Sequence, residues 1–311
     1  MIASTLALAR HGREHGYAVP AVNVLDDISL RAVVAAAVQA SAPLIIQVSV
    51  KTVKQLGTEL MTTTFRLAAQ DAPVPVALHL DHCPDRAVIS DVVAAGWSSV
   101  LFDASDRDLA DAERETVEVV AEAHANGVDV ESEIENIVGV EDGVGSDVAL
   151  HAYTVEQLAD VARRTGVDLL APQLGTAHGR YTARPVLRPD RVRALAALVD
   201  RPIVLHGGTG LTPEDFRSFI DAGVSKINIS TAVKMAYMKA AAAHLDVARA
   251  KDRWDPPTMF REIQGAVTSA IATHIEWFGA AGHAADAIAT GVATRAPLGG
   301  AAHELRGTAT P

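Results

Sequence analysis

A single cysteine, Cys83, stands in a chain of 311 residues. No intrachain disulfide is possible, and that suits a reducing compartment. No cluster of Lys or Arg occurs and the formal net charge is -11, which argues against nucleic acid or an anionic membrane surface as partner. No apolar run approaches the roughly 18 residues of a membrane span. The opening "MIASTLALARHGREHG" has too short an apolar run, and charges too soon, for a signal peptide. The expected location is therefore the cytoplasm. A GxGxxG opening a helix after the first strand is also missing, which weakens a dinucleotide-binding reading.

What is present is alternation. Hydrophobic residues make up 49% of the chain and charged residues 21%, ample for one large core. Eight short β-like runs follow one another: "AVPAVNV" (18–24), "PLIIQVS" (43–49), "PVALHLD" (75–81), "SVLFD" (99–103), "VDVESEI" (128–134), "VDLLAPQL" (167–174), "RPIVLHGG" (201–208) and "SKINIS" (225–230). Between them lie stretches such as "DISLRAVVAAAVQA" with apolar residues at helical spacing. The count and the length predict an α/β protein with a (β/α)8 TIM barrel rather than a doubly wound sheet. Helical patterning runs on to about residue 281. The expected organisation is a single barrel domain over 1–285 and a Gly/Ala-rich, flexible tail over 286–311.

Barrel chemistry gathers at the C-terminal ends of the strands. Here those ends are Asn23, Ser49, Asp81-His82, Asp103, Glu133, a sixth strand running on to His178, His206, and Asn228 to Ser230. All are polar and three bring a histidine. One histidine after a strand is usually an ordinary loop residue. Three on one rim can converge, and three neutral imidazoles with one open position make a catalytic Zn²⁺ site. Glycines follow two of them, in "TAHGRY" and "LHGGTG". The loops after strands 7 and 8, "HGGTG" and "NISTA", occupy the usual phosphate site of a barrel.

These residues carry a resemblance. "VALHLDHC", "VESEI…GVEDG", "GTAHGRY", "VLHGGTG" and "KINIST", in this order and at compatible spacing, resemble the class II, metal-dependent ketose-bisphosphate aldolases that act on fructose or tagatose bisphosphate. The similarity runs from "GYAVPAVNV" to "EWFGAAGHA". It implies His82, His178 and His206 as zinc ligands, with Glu133 a carboxylate beside the metal. It implies Asp81 as catalytic acid/base, Glu141 in a mobile loop as the group that moves the proton on the ketose-phosphate carbon, and Asn228 as a contact to the enediolate. Ser49, Gly179, Gly207, Thr209 and Thr231 match positions that hold the ketose-side phosphate, with Gly208 and Ser230 in the same loops. Gly179 and Gly207 also surround a monovalent cation (Na⁺ or K⁺) in that family. The implied substrate is a phosphosugar and the expected assembly a homodimer or homotetramer.

The chain departs from the family pattern in places. Glu135 and Val138 stand where glycines are usual, and Thr182 stands where a lysine often follows the second His-Gly; Arg180 or Arg184 offers a replacement charge. Arg261 is the candidate for the distal phosphate. A Schiff-base aldolase is disfavoured, because Lys226 opens strand 8 at the wrong end of the barrel and no other strand brings a lysine to its rim. The alternatives are a paralogous aldolase with another phosphosugar or aldehyde, a metal-dependent hydrolase on the same histidines, and a barrel that binds phosphosugar without turnover.

Overall fold

The strands come in two groups. A computed structural model describes residues 1–141, 144–146, 148, 151–179 and 184–292, with the backbone alone at 140, 141, 144 and 145. In chain order the strands are β1 (Val19–Asn23), β2 (Leu44–Ser49), β3 (Val76–Cys83), β4 (Ser99–Asp103), β5 (Asp129–Glu133), β6 (Gly139–Glu141), β7 (Val144–Ser146), β8 (Leu169–Leu170), β9 (Ile203–Leu205) and β10 (Val224–Ile229). Eight of them, all but β6 and β7, pair in parallel and close into a barrel in the order β1-β2-β3-β4-β5-β8-β9-β10. β6 and β7 form a separate antiparallel hairpin on the loop after β5. The protein is a (β/α)8 TIM barrel, as the eight alternating runs predict.

The helices are α1 (Thr5–His15), α2 (Asp27–Gln39), α3 (Val50–Leu56), α4 (Thr58–Gln70), α5 (Arg86–Ala94), α6 (Leu109–Ala125), α7 (Val155–Thr165), α8 (Pro189–Ala196), α9 (Pro213–Ala222), α10 (Thr231–Lys251), α11 (Pro256–Trp277) and α12 (Ala284–Ala289). Their starts are written locally. Asp26, Thr154 and Thr212 each accept an N3 backbone N–H while the N3 side chain reaches back, so three helices open with reciprocal caps. The helices cover the outside of the sheet, so the barrel strands are buried on both faces and read as apolar runs. α12 spans the expected division at 285/286, and residues 293–311 of the expected tail lie outside the described residues. Among the described residues no helix is long and apolar enough to cross a membrane.

The barrel interior is polar where it matters. Gln47, His79, Glu131 and Lys226 are wholly buried. The Lys226 ammonium lies 2.8 Å from Glu131 Oε2, although β10 and β5 are not neighbours. Two side chains on non-adjacent strands can meet only through the barrel lumen. Lys226, read from the sequence as opening strand 8 away from the rim, points into this lumen. It shares an inward face with Asn228, two residues on, and donates to Asn228 Oδ1 at 2.8 Å. β10 carries a register shift against β9 between Val224 and Lys226.

Candidate metal centre and catalytic rim

His82 and Asp81 are adjacent, so a regular strand would point them to opposite faces. The backbone resolves this: His82 has φ 40°, in the left-handed region, and the β3–β4 register shifts between Leu80 and Cys83. Such a conformation for a non-glycine residue costs on the order of 1–3 kcal/mol and is typical of functional positions. His206 follows β9 directly. His178 arrives differently from expected, because the sixth barrel strand stops at Leu170 and does not run on to the histidine. A loop delivers it instead, held by a bridge between Ala177 and Val138 and by the His178 N–H donating to Val138 O at 2.8 Å. Gly207 permits the meeting of the two loops: its φ is 70° and a Cβ there would come within 2.4 Å of Ala177 O.

The three rings converge. His82 Nε2 and His206 Nδ1 face each other at 3.0 Å. The ring centroids of His82 and His178 are 4.9 Å apart, and those of His178 and His206 6.0 Å. Each of the first two rings is held from behind. His82 Nδ1 donates to Asp103 Oδ2 at 3.0 Å, and His206 Nε2 donates to Glu131 Oε1 at 2.9 Å. A carboxylate only accepts, so with both rings neutral the two inner nitrogens would present lone pairs to one another, an arrangement that needs a proton or a metal ion between them. Two imidazole nitrogens on one tetrahedral zinc stand roughly 3.4 Å apart, from Zn–N distances of about 2.0–2.1 Å. Glu133 Oε2 lies 3.5 Å from His206 Nδ1 and has no hydrogen-bond partner. One ligand atom from each of His82, Glu133, His178 and His206 falls within 4.8 Å of the others. The donor set fits zinc.

The electrostatics describe the same shortage of positive charge. Burial pulls His206 down to about 4. Burial would also lower His82, but the carboxylates of Asp81, Glu133 and Asp103 outweigh it and lift the ring well above its ordinary value. Burial pushes Glu133 well up, and Asp103 adds to the push. Glu131 is equally buried, yet Lys226 and His206 hold it below the usual carboxylate range.

Beside the centre, Asp81 is held by two amides. Asn23 Nδ2 donates to its Oδ2 at 2.8 Å and Asn228 Nδ2 to its Oδ1 at 3.3 Å, while Gln47 Nε2 donates to Asn23 Oδ1 at 2.9 Å. Around the rim, Ser49 caps α3 by accepting from Thr52 N–H at 3.3 Å. Ser230 Oγ is buried without a hydrogen-bond partner, and it leaves the N-terminus of α10 at Thr231 without a side-chain cap. An uncapped helix start favours an anion. Gly208 and Thr209 line the loop after β9, and Gly179, with φ 82°, follows His178.

Not every candidate joins this group. Arg180 and Thr182 lie outside the described residues. Glu141 is placed by its backbone only, at the end of β6, and its side chain lies outside the described part. Arg184 pairs with Asp215 at 3.4 Å, and Arg261 Nη2 donates to Thr258 Oγ1 at 2.7 Å on the exposed surface of α11. Glu135 has a structural role that explains why it is not glycine. Its Oε1 accepts from Tyr153 N–H and Arg191 Nη2, each at 2.8 Å, and its Oε2 accepts from Gln173 N–H at 3.0 Å. The loop after β5 is thereby fastened to the segments that carry His178. Sequence reasoning missed Glu131 and Lys226, and gave Asp103 no role. The signal was there in period two: Glu131 stands two before Glu133, and Lys226 two before Asn228.

The comparisons with known proteins agree with the geometry. The family model described as "Fructose-bisphosphate aldolase class-II" matches residues 3–283. The chain is 32% identical over 308 residues to a fructose-bisphosphate aldolase of Thermus caldophilus, covering 91% of this chain and 100% of that one. It is 34% identical over 225 residues to a sulfofructosephosphate aldolase of Alkalicoccus urumqiensis, covering 72% and 78%. Among solved structures, the YdjI aldolase of Escherichia coli K12 superimposes with a TM-score of 0.79 at 30% identity, covering 91% and 100%.

Proposed function

Because the chain belongs to the class-II fructose-bisphosphate aldolase family, we propose that its rim catalyses the reversible aldol cleavage of fructose or tagatose 1,6-bisphosphate to dihydroxyacetone phosphate and an aldehyde. One observation carries this reading: two imidazole nitrogens opposed at 3.0 Å, each ring backed by its own buried carboxylate. His82, His178 and His206 hold one zinc ion, with Glu133 beside it. Zinc bound there acts as a Lewis acid on the ketose oxygens and stabilises the negative charge left when the C–C bond breaks. Asp81, oriented by Asn23 and Asn228, takes the proton of the C4 hydroxyl. Glu141 moves the proton on the three-carbon product, and Asn228 holds its oxygen. Ser49, Gly179, Gly207, Gly208, Thr209, Ser230 and Thr231 receive the phosphate, which fits the uncapped start of α10 and the free Ser230 hydroxyl. Arg180 supplies the cation that Thr182 lacks. The Gly179 and Gly207 carbonyls take a monovalent cation, Na⁺ or K⁺.

A second reading keeps the same ketose half and changes the aldehyde half. Thr182 in place of lysine and the likeness to a sulfofructosephosphate aldolase both favour a distal group other than phosphate. The chain acts in the cytoplasm as a homodimer or homotetramer. Met238, Leu245, Val247, Trp254 and Phe260, exposed along α10, α11 and the turn between them, supply apolar surface for that assembly. The test combines metal analysis with condensation of dihydroxyacetone phosphate against a panel of phosphorylated, sulfonated and neutral aldehydes. Zinc at one ion per rim and a new C–C bond with one aldehyde are expected. Zinc-loaded protein that hydrolyses phosphoesters and condenses nothing would replace the aldolase reading with a hydrolase.

A further inference from the structure

A second histidine cluster lies at the opposite end of the barrel from the rim. His11 and His15 are one helical turn apart on α1, which leads into β1 from below. α12 docks beside them, where Gly282 N–H and Ala284 N–H donate to Ala40 O and Ser41 O in the turn that precedes β2. These turns mark the N-terminal face, where barrels place stabilising rather than catalytic features.

Asp286 of α12 reaches both rings. Its Oδ2 is 3.2 Å from His15 Nε2 and 3.6 Å from His11 Nε2, and one ligand atom from each of the three residues falls within 4.8 Å of the others. His15 Nδ1 donates to His11 O at 2.9 Å. A carbonyl only accepts, so the proton of the neutral ring is on Nδ1 and Nε2 turns a lone pair toward a carboxylate oxygen. Two acceptors in that position need either a proton on Nε2 or a metal ion between them. His11 adds an independent observation. It is only 3% exposed, its Nδ1 is 2.8 Å from the Tyr17 hydroxyl, and its Nε2 is buried without a hydrogen-bond partner while aimed at the same carboxylate. The Tyr17 oxygen can accept from Nδ1–H, the arrangement that frees Nε2 to ligate.

We propose that His11 Nε2, His15 Nε2 and Asp286 Oδ2 form a second binding site for a zinc-like divalent cation, which clamps α12 to the base of the barrel. Two imidazoles and a carboxylate select a borderline transition-metal dication over Mg²⁺ or Ca²⁺, which prefer all-oxygen sites. The imidazoles lie stacked, with centroids 3.9 Å apart and planes 17° from parallel. Ligation opens that stack, and His15, with 35% of its side chain exposed, has room to turn. His283 stacks on Tyr17 with centroids 4.3 Å apart, at the edge of the site. A simple ion pair with a protonated His15 is the competing explanation, and it predicts no metal.

The experiment counts ions in the full-length protein equilibrated with excess Zn²⁺ and then gel-filtered, comparing wild type with His15→Ala and Asp286→Asn. Both substituted side chains reach the surface, His15 with 35% and Asp286 with 52% exposed, and circular dichroism checks that the variants fold. Each variant is expected to hold one zinc fewer per chain than wild type and to keep wild-type aldolase activity. The readout is the difference, so it stands whether or not the rim binds zinc. The same preparation loaded with Co²⁺ should lose part of its visible absorption in each variant. Equal zinc content in wild type and both variants would overturn the site and leave the ion pair. Loss of activity together with loss of zinc would show that the counted ion was the rim's, and would overturn it as well.

Discussion

Lys226 and Glu131 meet at 2.8 Å inside the barrel, both wholly excluded from solvent. The pair touches the histidine cluster of the rim from below, since Glu131 also accepts from His206 and Lys226 also donates to Asn228. Removing one partner strands the other as an unpaired buried charge. Lys226→Met is expected to cost about 3–5 kcal/mol, and the double variant Lys226→Met/Glu131→Gln to recover much of it. Urea unfolding of the single and double variants measures this. Equal loss in single and double would show that the pair is not energetically coupled.

Glu131→Gln alone addresses the metal. The amide can no longer fix the His206 tautomer, so zinc affinity should fall about 10–100-fold, the usual worth of such a support. Competition with a chromophoric chelator reads the affinity. His82→Ala, which deletes a ligand outright, should bind zinc still more weakly. Chelated wild type should lose its activity and regain it with added zinc.

Asp81 is expected to act on protons rather than on the metal. Asp81→Ala should retain zinc and bind ketose, with the cleavage rate down by about 10²–10⁴. If zinc is lost along with the rate, the carboxylate supports His82 instead.

Glu135→Gly restores the residue usual in the family and removes three hydrogen bonds. It also leaves Arg191, whose side chain is 13% exposed, without its carboxylate. A loss of about 3–5 kcal/mol is expected by analogy with broken buried pairs. Backbone amides between 134 and 141, and that of His178, should exchange faster. Unchanged exchange there would show that the loop holds its place without this anchor.

The sequence made the rim legible because the apolar runs give way to polar residues at or just beyond the ends of the barrel strands. His82, His206, Asp81 and Glu133 follow from that alone. His178 was found by its motif, but its path was not, because a bridge to Val138 replaces continued strand pairing and leaves no periodic trace. Glu131 and Lys226 were hidden for a different reason. Inside a closed barrel a buried charge is tolerable once it is paired, and its partner is several strands away, beyond any local pattern. The cluster of His11, His15 and Asp286 is hidden in the same way, since its members come from opposite ends of the chain.

The register shift in β10 has a consequence for how this chain can change over generations. Val224 pairs with Ile203 and Lys226 with Val204, so Ser225 is one residue more than β9 requires. A codon deleted at Ser225 would leave a barrel of the same length and composition to within one small residue. Yet the residues past the shift are held by β1, where Val19 pairs with Lys226 and Ala21 with Asn228, so the deletion would straighten the strand and turn Val224, not Lys226 or Asn228, to the other face. The entry to the strand can thus change length while the buried counter-ion and the amide beside Asp81 keep their places.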